Sequence, residues 1–279
     1  MTLRRPKFVF DTQVISYLSD GTIPRIEWDA VRKFMSRRAR YAISSITLYE
    51  LLAGIEGGDE AHFRENQRRI KVLCEPEKRK FLPLPGDFVR SAVFGLALRN
   101  QSFQPHKLKT WIEVILSAQA KKDLKDGRVT LRGDTDKTYG SPLSLFADQI
   151  RRGKQADAMR LERLRKGFLS ASTQETWSRA VLARIDVPSD PANVMKLQTA
   201  LDAAWRYELA RYELAKSQHY DFAKHDSDWL DGQLLYYLAD PLIHFITADE
   251  KIKHRTKGSS QADRILGFGE LKEMAQAAR

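Results

Sequence analysis

The hydrophobic positions of the first hundred residues switch between two periods. Phe8-Val9-Phe10 is a short apolar run ending at Asp11, which predicts a strand, and the stretch after it to Leu18 reads as a helix. Gly21 and Pro24 mark a loop, and residues 26–38 then form a basic amphipathic helix. Tyr41-Ala42-Ile43 predicts a second buried strand. Ser44 or Ser45 can cap the next helix, which carries Leu48, Leu51, Leu52 and Ile55 at helical spacing and stops at Gly57-Gly58. A helix over 60–73, a third strand at Phe81-Leu82-Pro83-Leu84 and a helix over 87–98 complete this part.

Strand signals then thin out from about 101 to 219. Leu197, Leu201, Trp205, Leu209 and Tyr212 line one helical stripe. The echo of 206–210 in 211–215 is a local duplication, not a solenoid repeat. Residues 127–140 are polar and glycine-containing, which predicts a loop, and 188–191 is a second break. The first pattern resumes with a helix over 228–238 and a strand over 242–247 leading to Asp249. A final helix and a short strand near Ile265-Leu266 close the chain. Such alternation predicts an α/β domain on a mainly parallel sheet. Its two parts, 1–100 and 220–279, are separated by a helical insertion over 101–219.

Composition narrows the function more than the fold. A chain of 279 residues with 42% hydrophobic positions can build one large domain or two modest ones. The formal charge of +11 favours polyanionic partners, of which nucleic acid is the commonest. The single cysteine, Cys74, excludes an intrachain disulfide and a cysteine-based zinc site and reads as a packed thiol; the six histidines do not fall at zinc-ligand spacing. No apolar run approaches the roughly 20 residues of a membrane span, and the first residues lack a signal-peptide core. The expectation is a cytoplasmic protein with no membrane partner.

Four acids stand out. Asp11 and Asp249 each follow an apolar strand, and the carboxyl ends of parallel strands form the ligand crevice of open α/β sheets; capping of the following helices is the plainer alternative. Asp231 falls within the arc spanned by Leu230, Leu234, Leu235 and Leu238, where a carboxylate is costly unless paired or metal-bound. Asp228 lies one turn earlier, at the edge of that arc. Glu50 lies across its helix from the leucine stripe, beside Ile46, Ala53 and Gly54. Carboxylate oxygens without cysteine or suitable histidines suit Mg2+ or Mn2+, ions that activate water and offset charge on a phosphate.

The residues around these acids resemble those of the PIN-like nuclease family. Val9-Phe10-Asp11-Thr12-Gln13-Val14-Ile15-Ser16-Tyr17-Leu18 is similar to its opening strand and helix, with Gln13 in place of the usual asparagine. The run Ile43 to Ile55, with Glu50 ahead of Ala53-Gly54, is similar to its second motif. Asp231-Gly232-Gln233-Leu234-Leu235 and Phe245-Ile246-Thr247-Ala248-Asp249 are similar to its third and fourth. The likeness covers about 7–100 and 226–267 and leaves out the helical middle. It implies a three-layer α/β/α fold and a ribonuclease acting on single-stranded RNA, leaving 5′-phosphate and 3′-hydroxyl ends. It also implies Asp11, Glu50, Asp231 and Asp249 as metal ligands, with Asp228 as a further candidate, and Ser45 or Thr247 at the phosphate or a water. Toxins of bacterial toxin–antitoxin pairs are among the family, so the partners implied are RNA, with DNA as the other nucleic acid, an antitoxin-type protein and a second copy in a homodimer.

The basic residues extend this reading. Lys251, Lys253, His254 and Arg255 crowd after Asp249, beside the expected phosphate; Arg151 and Arg152 open a denser basic run that continues to Lys166. Either group is equally readable as a solvated helix face. Trp111, Trp177 and Trp205 have the chemistry to stack on bases, although helical spacing favours the core. The rival reading is an inactive nucleic-acid-binding or protein-interaction module on the same fold. A phosphatase with an aspartyl nucleophile is disfavoured, because Gln13 occupies the position of its second aspartate.

Overall fold

The computed structural model describes residues 5–76, 79–99, 105–125, 142–167, 173–217, 221, 225 and 227–278. The first part contains β1 (Lys7–Phe10), α1 (Thr12–Asp20), α2 (Arg25–Arg38), β2 (Arg40–Ile43), α3 (Ser45–Gly57), α4 (Glu60–Leu73), β3 (Arg79–Phe81) and α5 (Pro85–Phe94). The middle contains α6 (Pro105–Ser117), α7 (Lys122–Lys125), α8 (Pro142–Arg165), α9 (Gln174–Arg184), α10 (Pro191–Ala200) and α11 (Asp202–Ala215). The last part contains α12 (Asp228–Leu234), a 3-10 turn (Leu235–Ala239), β4 (Ile243–Ile246), α13 (Glu250–Thr256), β5 (Ile265–Leu266) and α14 (Phe268–Ala277).

The strands form one parallel sheet in the order β3-β2-β1-β4-β5. β1, β2 and β4 bury apolar side chains on both faces, as a sheet covered on both sides requires, while the edge strand β3 (Arg79-Lys80-Phe81) carries two basic residues. Phe8, Phe10, Tyr41, Ile43 and Ile246 point into one core, shared with α1–α4 and α14. Val9, Ala42, Ile243, Phe245 and Ile265 point into the other, shared with α5 and α9–α12. The result is a three-layer α/β/α arrangement. The chain leaves β1 toward β2 and returns on its other side at β4, so the direction of winding reverses between β1 and β4, where such sheets place their ligands.

Three boundaries differ from the sequence reading. The third strand lies at 79–81 rather than 81–84, because its ladder ends where Leu82 N–H donates to Ile43 O at 2.8 Å and Pro83 has no N–H to continue it. The helix expected over 87–98 ends at Phe94, where Gly95 takes a left-handed cap at φ 68°. The helix over 228–238 tightens into a 3-10 turn from Leu235. The loop expected over 127–140 lies outside the described residues.

The middle of the chain is built into the domain. Its helices α9–α11 share the core on one face of the sheet, and α8 lies along α3. Trp177 and Trp205 pack on each other with ring centroids 5.6 Å apart and are buried, so they belong to the core rather than to a base-stacking surface. Only the backbone placement of Trp111 is described. Burial pushes the Cys74 thiol up to about 11, as a packed thiol requires. Among the described residues no helix is long and apolar enough to cross a membrane.

Of the stripe expected along 197–212, Leu197, Leu201, Trp205 and Tyr212 are buried in one core, but it spans two helices and one position departs from it. Leu197 belongs to α10, while Leu209 on α11 is 37% exposed. Besides Trp205 and Tyr212, α11 buries Tyr207, Glu208 and Arg211. Arg211 meets Asp157 of α8 and lies 3.1 Å from Glu208. Arg160 closes the ring at 2.9 Å from Asp157 and 3.2 Å from Glu208. This ionic ring joins α8 to α11 beside the apolar stripe.

Candidate active site

Pairing of β1 with β4 sets Phe10 opposite Ile246, so the residues that follow both strands emerge at one edge of the sheet. Asp11 N–H donates to Ile246 O at 3.0 Å and continues the ladder to that edge. The Asp11 carboxylate caps α1 by accepting from Val14 N–H at 2.8 Å. Its second oxygen accepts from the Thr247 hydroxyl. Thr247 in turn accepts from Asp249 N–H at 3.0 Å, and Asp249 caps α13 by accepting from Lys251 N–H at 2.7 Å. Asp11 and Asp249 are therefore helix caps and crevice acids together, and the two sequence readings of them do not exclude each other.

Ser44 is the cap of α3, accepting from Thr47 N–H at 2.9 Å, and this starts the helix that carries Glu50. Thr12, the first residue of α1, donates its hydroxyl to Glu50 Oε2 at 2.5 Å, tying the second acid to the residue beside the first. Asp231 comes from α12 and accepts from the Tyr207 hydroxyl of α11 at 3.1 Å. Four separate elements thus contribute acids.

Their electrostatics show that these acids act on one another. Burial, reinforced by the nearby Glu50 charge, raises the Asp11 carboxyl to about 6 against the opposing bonds from Thr247 and Val14. Burial raises Asp231 to about 8, followed by the negative charges of Glu50, Asp228 and Asp249; the Tyr207 bond opposes them. No lysine or arginine counts among the main influences on either carboxyl. Clustered carboxylate oxygens of this kind have the donor chemistry for a hard divalent cation. Among the described residues, however, no three histidine, cysteine or acidic side chains form a ready metal cage. The donor chemistry fits the ion, and the cage is open.

The remaining expected residues fall into two groups. Asp228 is buried and bound by Arg255 Nη1 at 2.6 Å, an ion pair with both side chains under one-tenth exposed. The guanidinium already engages Asp228 Oδ2, and the Arg255 side chain is itself only 7% exposed. Ser45 is buried, 3.0 Å from the Tyr237 hydroxyl and 3.3 Å from Pro83 O, and it braces the turn before α5. Lys253 lies 3.4 Å from both Glu250 and Glu270. Lys251, His254, Arg151 and Arg152 are exposed, the two arginines on α8, which packs on the helix that carries Glu50.

Sequence reasoning missed Thr12 and Tyr207. Thr12 sits inside a motif that was singled out, but a hydroxyl beside an acid does not reveal a partner 38 positions away. Tyr207 lies in the stretch that the family resemblance leaves out.

Thr247→Val tests the linkage at the sheet edge. Losing the hydroxyl that holds Asp11 moves that carboxyl above about 6, and a carbon-detected NMR titration of the metal-free protein reads the change. The expected move is about one pKa unit, and a midpoint unchanged or lowered contradicts the arrangement. Comparison of the chain with family models, with curated proteins and with solved structures returned no match, so the reading of this site rests on its own residues.

Proposed function

We propose that this protein is a metal-dependent ribonuclease on a PIN-like fold, cleaving phosphodiester bonds of single-stranded RNA at the crevice of Asp11, Glu50, Asp231 and Asp249. One observation carries the proposal. Acids from the ends of β1 and β4 and from α3 and α12 influence one another at the winding reversal of a parallel sheet, and burial with the neighbouring acids raises two of them to about 6 and about 8. The order and surroundings of these acids, together with the formal charge of +11, agree with the sequence resemblance.

A bound Mg2+ or Mn2+ would supply charge for the phosphate in flight and favour deprotonation of an attacking water. The chain's own residues do the positioning. Thr247 orients Asp11 and anchors the Asp249 backbone, while Thr12 orients Glu50. Lys251, Arg151 and Arg152 present exposed charge to the sugar–phosphate backbone, which steers without reading sequence. A role as the toxin of a toxin–antitoxin pair belongs to the same proposal.

The test is cleavage of end-labelled single-stranded RNA with Mg2+ or Mn2+. The expected outcome is cleavage by the wild type, none in excess chelator, and a loss in Asp11→Asn on the order of 100-fold or more. Equal activity in both proteins removes the active-site assignment, and cleavage of DNA alone changes the substrate class. The open cage favours one second reading, a nucleic-acid-binding module that does not cleave. RNA retained intact by the wild type in that assay would establish it.

A further inference from the structure

Tyr207 is fully buried on α11, and its hydroxyl stands between two charged groups of the candidate site. Arg255 Nη1 lies 3.1 Å from the phenolic oxygen, and that oxygen lies 3.1 Å from Asp231 Oδ2. Arginine can only donate, so the oxygen accepts from Arg255 and its single hydrogen is committed to Asp231. Arg255 also donates to Asp228 at 2.6 Å, and its guanidinium lies 5.1 Å from the centre of the Tyr207 ring. The polarity of the chain is therefore settled from end to end. Asp228 accepts from Arg255, Arg255 donates to Tyr207, and Tyr207 donates to Asp231.

This chain of bonds ties together three elements. Arg255 belongs to α13, whose cap is Asp249; Asp228 and Asp231 belong to α12; Tyr207 comes from the helical middle of the chain. Both α12 and α13 pack on α11. Gly232, next to Asp231, lies so close to α11 that a Cβ there would sit 3.3 Å from Glu208 Oε1 and 3.5 Å from the Tyr207 ring. The helix thus approaches the acid through both a small residue and a directed hydrogen bond.

We propose that Tyr207 is a positioning residue of the metal centre. Its hydroxyl holds Asp231 Oδ2, fixes the rotation of that carboxylate toward Glu50 and Asp249, and makes α11 part of the active centre. The proposal rests on the metal-site reading above. Outer partners that orient a ligating side chain commonly change metal affinity by about 10–100-fold.

The test is Mn2+ binding by the full chain, followed by the loss of the free-ion electron paramagnetic resonance signal, in wild type, Tyr207→Phe and Leu209→Ala. The phenylalanine variant keeps the ring against Arg255 and removes only the hydroxyl. Leu209 lies on the same helix, is 37% exposed, and reports any general loosening of α11. The expected result is a Mn2+ dissociation constant roughly 10–100-fold weaker in Tyr207→Phe and unchanged in Leu209→Ala. RNA cleavage by Tyr207→Phe should also recover as Mn2+ is raised. Equal affinity in wild type and Tyr207→Phe overturns the role of Tyr207 and leaves the metal site standing. Equal weakening in both variants overturns it in favour of general packing. Failure of the wild type to bind Mn2+ at millimolar concentration overturns the metal site and the role of Tyr207 together.

Discussion

Asp231→Asn is expected to abolish metal-supported RNA cleavage and, at the same time, to make the metal-free protein more stable at pH 8. The two effects share one cause. In the folded chain Asp231 is raised to about 8 by burial and by the charges of Glu50, Asp228 and Asp249, against an ordinary value of 3.8. A carboxyl with a raised folded value binds its proton more tightly folded than unfolded. Its contribution to stability is therefore fully present below the unfolded value, near 4, and is lost as pH rises through about 8. Asparagine removes the charge and still offers an oxygen to the Tyr207 hydroxyl.

One pKa unit corresponds to about 1.4 kcal/mol, and water reaches part of this side chain, so a gain on the order of 3 kcal/mol at pH 8 is the appropriate scale. Thermal melts of the two proteins in chelator should converge near pH 4 and separate toward pH 8, with the variant higher. Added Mg2+ should narrow the gap from the wild-type side, since an ion that binds only the folded state stabilises it by mass action. A variant less stable than wild type throughout would mean that Asp231 is a structural acid, and full cleavage activity would remove it from the site. Loss of activity with a gain in stability separates a functional carboxylate from one that the fold needs.

Arg211→Met is expected to have the opposite character, a severe loss of stability with its origin outside the candidate acids. Arg211 is fully buried and meets Asp157 and Glu208, which are 8% and 5% exposed. Burial works against its charge, but Glu208 and Asp157 outweigh this, so the guanidinium holds its proton well above the ordinary arginine range. Removing it leaves two buried carboxylates with only the half-exposed Arg160 between them. Breaking a buried pair from one side costs about 3–5 kcal/mol, because the stranded charge stays buried. Urea denaturation should show a loss of this size, and the melting temperature should fall by roughly 10 °C. Adding Asp157→Leu and Glu208→Leu to Arg211→Met should recover most of it, since replacing a whole buried ionic group by apolar side chains is often neutral. A single variant within about 1 kcal/mol of wild type would mean that water or rearrangement relieves the stranded acids.

The two outcomes bear on one question, how the middle of the chain relates to the crevice. The Arg211 ring fixes α11 against α8, and Tyr207, one turn before Arg211, reaches Asp231 from the same face of α11. A loss of that ring is therefore expected to loosen the support of Asp231 as well as the fold.

Much of the architecture is legible in the order of residues. The strands at Phe8-Val9-Phe10, Tyr41-Ala42-Ile43 and 242–247 are each short apolar runs, and each lies in the sheet within a residue or two of where its pattern puts it. The caps Asp11 and Ser44 and the stop at Gly57-Gly58 are equally local. Capping chemistry and side-chain period act over a few neighbours, and local composition carries them. Asp11, Asp249 and Asp231 could be named for the same reason, because each follows a strand or interrupts an apolar helix face, whereas Glu50 rests mainly on the family resemblance.

What local pattern could not decide is which side chains face which. Leu209 looked inward by spacing and is exposed, while Glu208 and Arg211, which that stripe does not include, are buried. Their burial depends on Asp157 and Arg160, some fifty residues away on α8. Arg255 reads by position as a phosphate ligand, and its guanidinium is engaged by Asp228 and Tyr207. A charged or hydroxylated side chain takes its direction from its partner, and partners distant in the chain meet only once the helices have packed. The order of residues thus determined the parallel α/β frame and its four candidate acids. Tertiary packing alone decided that α11 stands behind Asp231, because only there do a buried hydroxyl, a guanidinium and two carboxylates satisfy one another.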